Sequence, residues 1–176
     1  MSKLPRVGLI SLLLFFALDQ LCKWIVTGPL GLEEYGPARE LLPIFQLQVV
    51  HNNGVSLGFL RASSAASTWA LVAMTGVIAV AVIVWMWRER NRQDQVALGM
   101  IAGGALGNIL DRVRLGYVVD YANLHFGDWS PFLNFNLADA AITVGVLILL
   151  ARALLVRDKP KTAPTPEESD VEKSNA

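Results

Sequence analysis

The sequence predicts an all-α integral membrane protein with four transmembrane helices and a small extracytoplasmic β element. The first indication is composition: 53% of the 176 residues are hydrophobic and 17% are charged, against roughly 25% charged residues in soluble domains. The second is four apolar segments of about 20 residues, the length that crosses the hydrocarbon core of a bilayer. The formal net charge of +0 argues against a nucleic-acid partner, and the single Cys allows no internal disulfide.

The four predicted spans cover residues 7–26, 68–87, 96–115 and 137–156. Basic residues precede the first span as they precede a cleaved signal peptide, but no small-residue cleavage site follows it, so we expect a retained helix. In the third span, Gly99, Gly103 and Gly107 recur every four residues, a spacing that lets helix backbones approach closely. Since glycine is also simply common in membrane helices, that interpretation stays open. Spans three and four are expected to be neighbours in either case.

The distribution of lysine and arginine predicts the orientation of the spans. Eight such residues lie at the N-terminal end, between spans two and three, and in the tail: Lys3, Arg6, Arg88, Arg90, Arg92, Arg157, Lys159 and Lys161. The connections on the opposite side carry only Arg39 and Arg61. This excess places both termini in the cytoplasm, so that residues 28–67 and 116–136 form two outer loops.

The first outer loop is too long to be a bare turn. Ile44, Leu47 and Val49 alternate partly with glutamines, and an Asn53-Gly54 pair separates them from a second apolar run. An extended run, an Asn-Gly turn and another extended run predict a small β-hairpin.

Residues 1–156 are expected to form one four-span membrane domain, and the remaining residues form a tail. Residues 157–176 contain three prolines and a cluster of acidic side chains. Such a composition cannot bury a core, so we expect the tail to be disordered and cytoplasmic.

Ionisable groups inside or at the edge of a membrane helix are costly, and each is therefore a candidate for function. Asp19 and Lys23 lie four residues apart in the first span and can pair across one helical turn. We favour a structural ion pair there over a role in binding substrate. Asp111 and Arg112 end the apolar part of the third span, where pairing or interfacial anchoring is at least as reasonable as catalysis.

Asp120 and Asp139 are the main candidates for catalysis. The third span runs outward and the fourth begins at the same surface, so the two carboxylates are expected at the same depth. Two acids brought close in a low-dielectric setting share a proton. One can then accept a proton from water while the other donates one to a carbonyl oxygen, as in aspartic proteases. A proton relay or cation site in a transporter, and a helix cap at Asp139, stay open as alternatives.

Other chemistries are less well supported by the sequence. His51 and His125 lie in separate loops without metal-binding spacing, so no metal or other cofactor is expected. Cys22 is interpreted as a small core residue. A transporter relay would need polar groups through the bilayer, which spans two and four scarcely offer. A catalytically silent adaptor, in which both acids would be dispensable, is the remaining rival.

Five short motifs resemble, in order and spacing, those of bacterial lipoprotein signal peptidase (signal peptidase II). They read DQLCK at 19–23, NNGVSLGF at 52–59, GGALGNILDR at 103–112, VVDY at 118–121 and FNLAD at 135–139. The resemblance covers about residues 7–156. Tyr121 stands where phenylalanine is common in the family, which is a mild departure.

The resemblance implies an aspartyl endopeptidase of the cytoplasmic (inner) membrane whose active site lies at the extracytoplasmic face. Its substrates would be diacylglyceryl-modified prolipoproteins, cut before the lipidated cysteine, and globomycin-type cyclic peptides would block it. Asp120 and Asp139 match the two catalytic aspartates, while Asp19 and Lys23 match a first-helix motif with a mainly structural role. Positions that match groove-lining or dyad-supporting residues are Asn52, Gly54, Asn108, Arg112 and Asn136. We expect a monomer surrounded by membrane lipid.

Overall fold

The computed structural model describes residues 4–54, 65–127 and 129–155. Within these residues the chain forms four long helices and three short strands. The helices are α1 (Arg6–Thr27), α2 (Ala65–Arg88), α3 (Arg92–Leu115) and α4 (Leu137–Leu155). The strands are β1 (Arg39–Leu42), β2 (Phe45–Asn52) and β3 (Val118–Leu124). All four helices are long and apolar enough to cross a membrane, and the predicted fold class is confirmed.

Helix α3 lies at the centre of the bundle and packs against α1, α2 and α4. Its glycine stripe faces α1, where a Cβ added at Gly103 would lie 2.5 Å from the carbonyl oxygen of Leu12. Gly104, one position further round the helix, meets the carbonyl oxygen of Ala138 in α4 at the same distance, 2.5 Å. The close approach that the stripe predicts is therefore present with α1 as the partner, and α3 and α4 are neighbours as expected.

Local signals fix both ends of α3. Asn91 caps the first turn, since its side chain accepts hydrogen bonds from the backbone N–H groups of Gln93 and Asp94 at 2.8 and 3.4 Å. At the other end Gly116 has a φ of 86°, in the left-handed region that glycine enters without strain. The chain therefore turns sharply out of α3 and enters β3 at Val118.

The three strands form an antiparallel sheet in the order β1-β2-β3. The first run of the predicted hairpin is β2, but its hairpin partner is β1, which precedes it in the chain. The predicted second run, residues 55–59, lies outside the described residues. Strand β2 also pairs with β3, which sets Val50 opposite Asp120 and Asn52 opposite Val118.

Strand β3 is an element that the sequence analysis does not predict within the outer loop 116–136. Every residue of this strand from Val118 to Asn123 is buried. It therefore lacks the alternation of apolar and polar residues that marks a half-buried strand. The strand packs over the end of α1, where Val26, Val49 and Val119 share one buried core. That core holds the sheet against the helix ends.

The sheet and the link between α2 and α3 lie at opposite ends of the bundle. Arginines in that link favour the cytoplasmic side, and the orientation of the chain in the membrane stays a prediction. The predicted disordered tail, residues 157–176, lies outside the described residues. The domain boundary at residue 156 likewise stays a prediction.

Gly103→Ala is expected to destabilise the protein, because its Cβ meets the backbone of α1 rather than a movable side chain. Overpacking of this kind lowers the free energy of unfolding by about 1–3 kcal/mol. Thermal unfolding in detergent should show a lower Tm than for the wild type. The matched control is Gly76→Ala in α2, where an added Cβ meets nothing within 4 Å. Equal Tm values for the two variants would contradict the packing described here.

Candidate active site

Strand β3 carries Asp120 into the interior at the sheet end of the bundle, where the residue is only 2% exposed. Its two carboxylate oxygens have separate donors. Asn52, at the end of the neighbouring strand, donates to Oδ2 at 2.9 Å. Asn136, just before α4, donates to Oδ1 at 2.7 Å. The strand pairing and the start of a helix thus converge on one buried carboxylate.

Asp139 lies in the first turn of α4 and is half-buried. Its backbone N–H donates to Oδ1 of Asn136 at 3.0 Å, and its own Oδ2 accepts the backbone N–H of Asn136 at 3.4 Å. These reciprocal bonds form a capping box, the helix-capping role that the sequence analysis left open. The other oxygen, Oδ1, accepts from the side chain of Asn108 in α3 at 2.8 Å. Helix capping therefore occupies only Oδ2 of the Asp139 carboxylate.

Two asparagines join the candidate aspartates. The amide nitrogen of Asn136 donates both to Asp120 and, at 3.2 Å, to Oδ1 of Asn108. Asn108 in turn donates to Asp139. The two carboxylates thus share neighbours drawn from the ends of α3 and α4, at the common depth that the topology predicts.

The environment of Asp120 suits proton exchange near neutral pH. Burial raises the pKa of its carboxyl from 3.8 to about 6. The hydrogen bonds from Asn52 and Asn136 oppose this rise in pKa, whereas the nearby charge of Asp139 adds to it. An acid with a pKa close to the working pH is well placed for general acid–base chemistry.

Arg112 and Gly54 lie at the edges of the same site. Arg112 is half-buried, and its guanidinium donates to the carbonyl oxygen of Asn108 at 3.5 Å. Gly54 donates its backbone N–H to Oδ1 of Asn52 at 3.1 Å. This bond leaves the amide nitrogen of Asn52 directed at Asp120.

A buried ion-paired cluster lies beside the candidate aspartates. Lys23 pairs with Asp19 at 2.8 Å, as the spacing predicts, and also with Asp111 of α3 at 2.7 Å. The sequence analysis does not predict the second pair, although the sequence positions of the two residues indicate it. Lys23 and Asp111 each lie four residues before the end of a helix that runs toward the sheet.

Gln20 is a further polar side chain that the sequence analysis missed. Its amide nitrogen donates to Asp19 at 3.2 Å and to Asp111 at 3.0 Å. Gln20 is the second residue of the DQLCK motif, but it carries no charge and the sequence analysis assigns it no role. All the candidate site residues therefore meet in one region, which also includes Gln20 and Asp111.

Among the residues that the structure describes, no three His, Cys, Asp or Glu side chains form a group that could hold a metal ion.

Comparison with known protein families gives a consistent result. The sequence profile of the family described as "Signal peptidase (SPase) II" matches residues 11–155. The lipoprotein signal peptidase of Rhizorhabdus wittichii is 56% identical over 141 residues, which are 80% of this chain and 81% of that protein. The lipoprotein signal peptidase of Sphingopyxis alaskensis is 54% identical over 154 residues, which are 88% of each chain.

Solved structures show the same architecture. One structure, described as a bacterial membrane enzyme, matches with a TM-score of 0.72 and 25% identity, covering 90% of this chain and 92% of that chain. A second with the same description has a TM-score of 0.71 and 29% identity, covering 86% of this chain and 94% of that chain. The likeness therefore extends over almost the whole bundle and sheet.

Replacing Asp120 by Asn is expected to change how stability depends on pH. A carboxyl whose pKa is raised from 3.8 to about 6 binds its proton more tightly in the folded than in the unfolded protein. Its contribution to stability is therefore present below about pH 4 and is lost as the pH rises through about 6. The loss is on the order of 3 kcal/mol, at about 1.4 kcal/mol for each pKa unit.

Urea unfolding of both proteins between about pH 4 and pH 7 measures this difference. The stability of Asp120→Asn relative to the wild type should rise across that range, whatever constant offset the substitution adds. A difference that does not depend on pH would show that the Asp120 carboxyl titrates as it does in the unfolded chain.

Proposed function

Because the chain belongs to the signal peptidase II family, we propose that Asp120 and Asp139 are its catalytic dyad. Family membership makes the chain a peptidase with lipoprotein signal peptidase function and a multi-pass inner membrane protein. The observation that carries the proposal is the position of Asn136, whose side-chain amide donates to the Asp120 carboxylate and whose backbone N–H donates to the Asp139 carboxylate. The proposed activity is that of an aspartyl endopeptidase.

In the proposed reaction the two carboxyls exchange protons with water and the peptide. The ionised carboxylate removes a proton from a water molecule, whose oxygen attacks the scissile carbonyl carbon. The protonated carboxyl gives its proton to the carbonyl oxygen, and a tetrahedral diol forms. The carbon–nitrogen bond then breaks, the leaving nitrogen takes the proton held by the first carboxyl, and the second recovers a proton from a diol hydroxyl. Because the acids are coupled, the pair rather than either residue sets the pH range of activity.

The three asparagines are proposed to fix the positions of the two dyad carboxylates through hydrogen bonds. That they also line a substrate groove stays a prediction. Asn52 and Asn136 each donate to Asp120, and Asn108 donates to Asp139. Donors on a carboxylate favour its charged form, which offsets the effect of burial. Arg112 is proposed to orient the peptide or stabilise charge on its carbonyl oxygen, since its guanidinium lies against the backbone carbonyl of Asn108, whose side chain contacts Asp139.

The proposed substrate is a diacylglyceryl-modified prolipoprotein, cut immediately before its lipidated cysteine. A signal peptide is an apolar helix, and the bond that follows it lies where the bilayer meets water. The candidate dyad lies at the helix ends, which is the depth that such a bond requires. We place this end at the extracytoplasmic face and both termini in the cytoplasm, since Arg88, Arg90 and Arg92 lie at the opposite end.

Two further features of the family are proposed for this chain. Globomycin-type cyclic peptides are proposed to occupy the peptide site and exclude water from the dyad. A monomer surrounded by lipid is proposed as the working form, because a single copy of the chain brings both carboxylates and their asparagine donors together.

Asp120→Asn and Asp139→Asn are each expected to lower the rate of prolipoprotein cleavage at least about 100-fold, because an amide cannot exchange the proton that the reaction requires. The assay mixes detergent-purified protein with a diacylglyceryl-modified prolipoprotein and, separately, with the unlipidated form. Only the lipidated form should be cleaved by the wild type.

The matched control is Asp94→Asn. Like Asp139, Asp94 is a carboxylate in the first turn of a helix, but it lies at the other end of the bundle and pairs with Arg152. The Asp94→Asn variant should cleave the substrate at the wild-type rate. Wild-type cleavage by either dyad variant would exclude that residue from the chemistry.

A further inference from the structure

The ion-paired cluster of Lys23, Asp19 and Asp111 is as deeply buried as Asp120 and more deeply buried than Asp139. Lys23 is 4% exposed, Asp19 0% and Asp111 4%. One ammonium between two carboxylates leaves the cluster with one net negative charge. A buried ion pair is weak grounds for stability, since apolar residues of similar volume often serve as well. The contacts that the cluster makes with its surroundings therefore need another explanation.

Both carboxylates of the cluster hold backbone beside the candidate dyad. Asp19 accepts a hydrogen bond from the backbone N–H of Ala138 at 3.0 Å, the residue before one candidate aspartate. Asp111 accepts from the backbone N–H of Val119 at 3.3 Å, the residue before the other. The first turn of α4 and strand β3 are thus tied to the same cluster, although they are separate segments of the chain.

The third contact of the cluster runs through Asn108. Lys23 donates to Oδ1 of Asn108 at 3.1 Å, and Asn136 donates to the same oxygen at 3.2 Å. An ammonium group is a donor only, so it holds the oxygen end of the amide toward itself. The amide nitrogen of Asn108 must then point the other way, where it donates to Asp139 at 2.8 Å.

We infer that Lys23 is a positioning residue, which fixes the direction of the Asn108 amide and so keeps a hydrogen-bond donor on Asp139. This inference rests on the proposed function of the dyad. Without the ammonium, the neutral amide of Asn136 still donates to that oxygen, but the charged donor is lost and the Asn108 amide can turn and present its oxygen to the carboxylate, which repels it. A displacement of about 1 Å at a reacting group lowers the rate about 100-fold.

The test uses the full chain with Lys23→Met and Asp111→Asn combined. Lys23→Met alone would leave two buried carboxylates without a cation, and such a protein can fail to fold. The second substitution restores the net charge of the cluster, and its side-chain oxygen can still accept from Val119. For cleavage of a diacylglyceryl-modified prolipoprotein, we expect kcat to fall about 100-fold, while KM stays within about twofold because substrate contacts are intact.

The matched control is Ser11→Ala. The Ser11 hydroxyl donates to the carbonyl oxygen of Val96 at 2.9 Å, so it also links α1 to α3, but far from the site. This variant should have a lower Tm and the wild-type kcat. A folded double variant with the wild-type kcat, or one in which only KM changes, would overturn the positioning role.

A second variant decides the question if the double variant does not fold. Asn108→Asp keeps an oxygen for Lys23 and Asn136 but has no N–H for Asp139, so kcat should fall to a similar extent. The wild-type kcat in this variant would overturn the inference. Asp139→Asn in the same assay separates the two claims. If Asp139→Asn cleaves the substrate, the proposed dyad is refuted. If Asp139→Asn is inactive while Asn108→Asp cleaves at the wild-type rate, only the positioning role of Lys23 is refuted.

Discussion

A carboxylate near the end of a membrane helix must receive hydrogen bonds or a neighbouring cation, because little else offsets the loss of water around its charge. Among the described residues, four carboxylates belong to the polar network around the candidate site: Asp19, Asp111, Asp120 and Asp139. Their donors are one lysine, one glutamine, three asparagines and backbone N–H groups of β3 and α4. Because several donors serve two acceptors, the ends of three helices and the sheet form one connected polar network.

The packing of the helices and this network depend on each other. The glycine stripe that brings α3 against α1 ends at Gly107, where an added Cβ would lie 2.5 Å from Oδ2 of Asp19. Asp19 therefore fits between the helices only because that position has no side chain. Close helix contact brings Lys23 to Asp111 and Asn108. The same stripe that lets two backbones touch in lipid thus provides room for the charged groups beside the candidate site.

Hydropathy predicts all four helices to within four residues at each end, because a membrane helix needs little more than length and apolarity. Topology likewise brings Asp120 and Asp139 to one depth. Strand β3 is not predicted, since it is buried on both faces and its sequence does not alternate. The asparagines of the candidate site enter only through the family resemblance, because an uncharged amide at a strand or helix end is also common in turns and caps and so does not by itself indicate a functional site. Predicting the pair of Lys23 and Asp111 would have required two facts together. Helices α1 and α3 both run toward the sheet, and each residue lies four positions before the end of its helix.

The most direct test of the account is whether the two candidate acids sense each other's charge. Infrared spectroscopy can follow the carboxylic acid stretch of Asp120 against pH, with the Asp120→Asn protein as the reference that assigns the band. The charge of Asp139 raises the pKa of Asp120, so the titration midpoint should fall in the Asp139→Asn protein. An unchanged midpoint would mean that the carboxyls titrate independently, and a dyad sharing one proton would be contradicted.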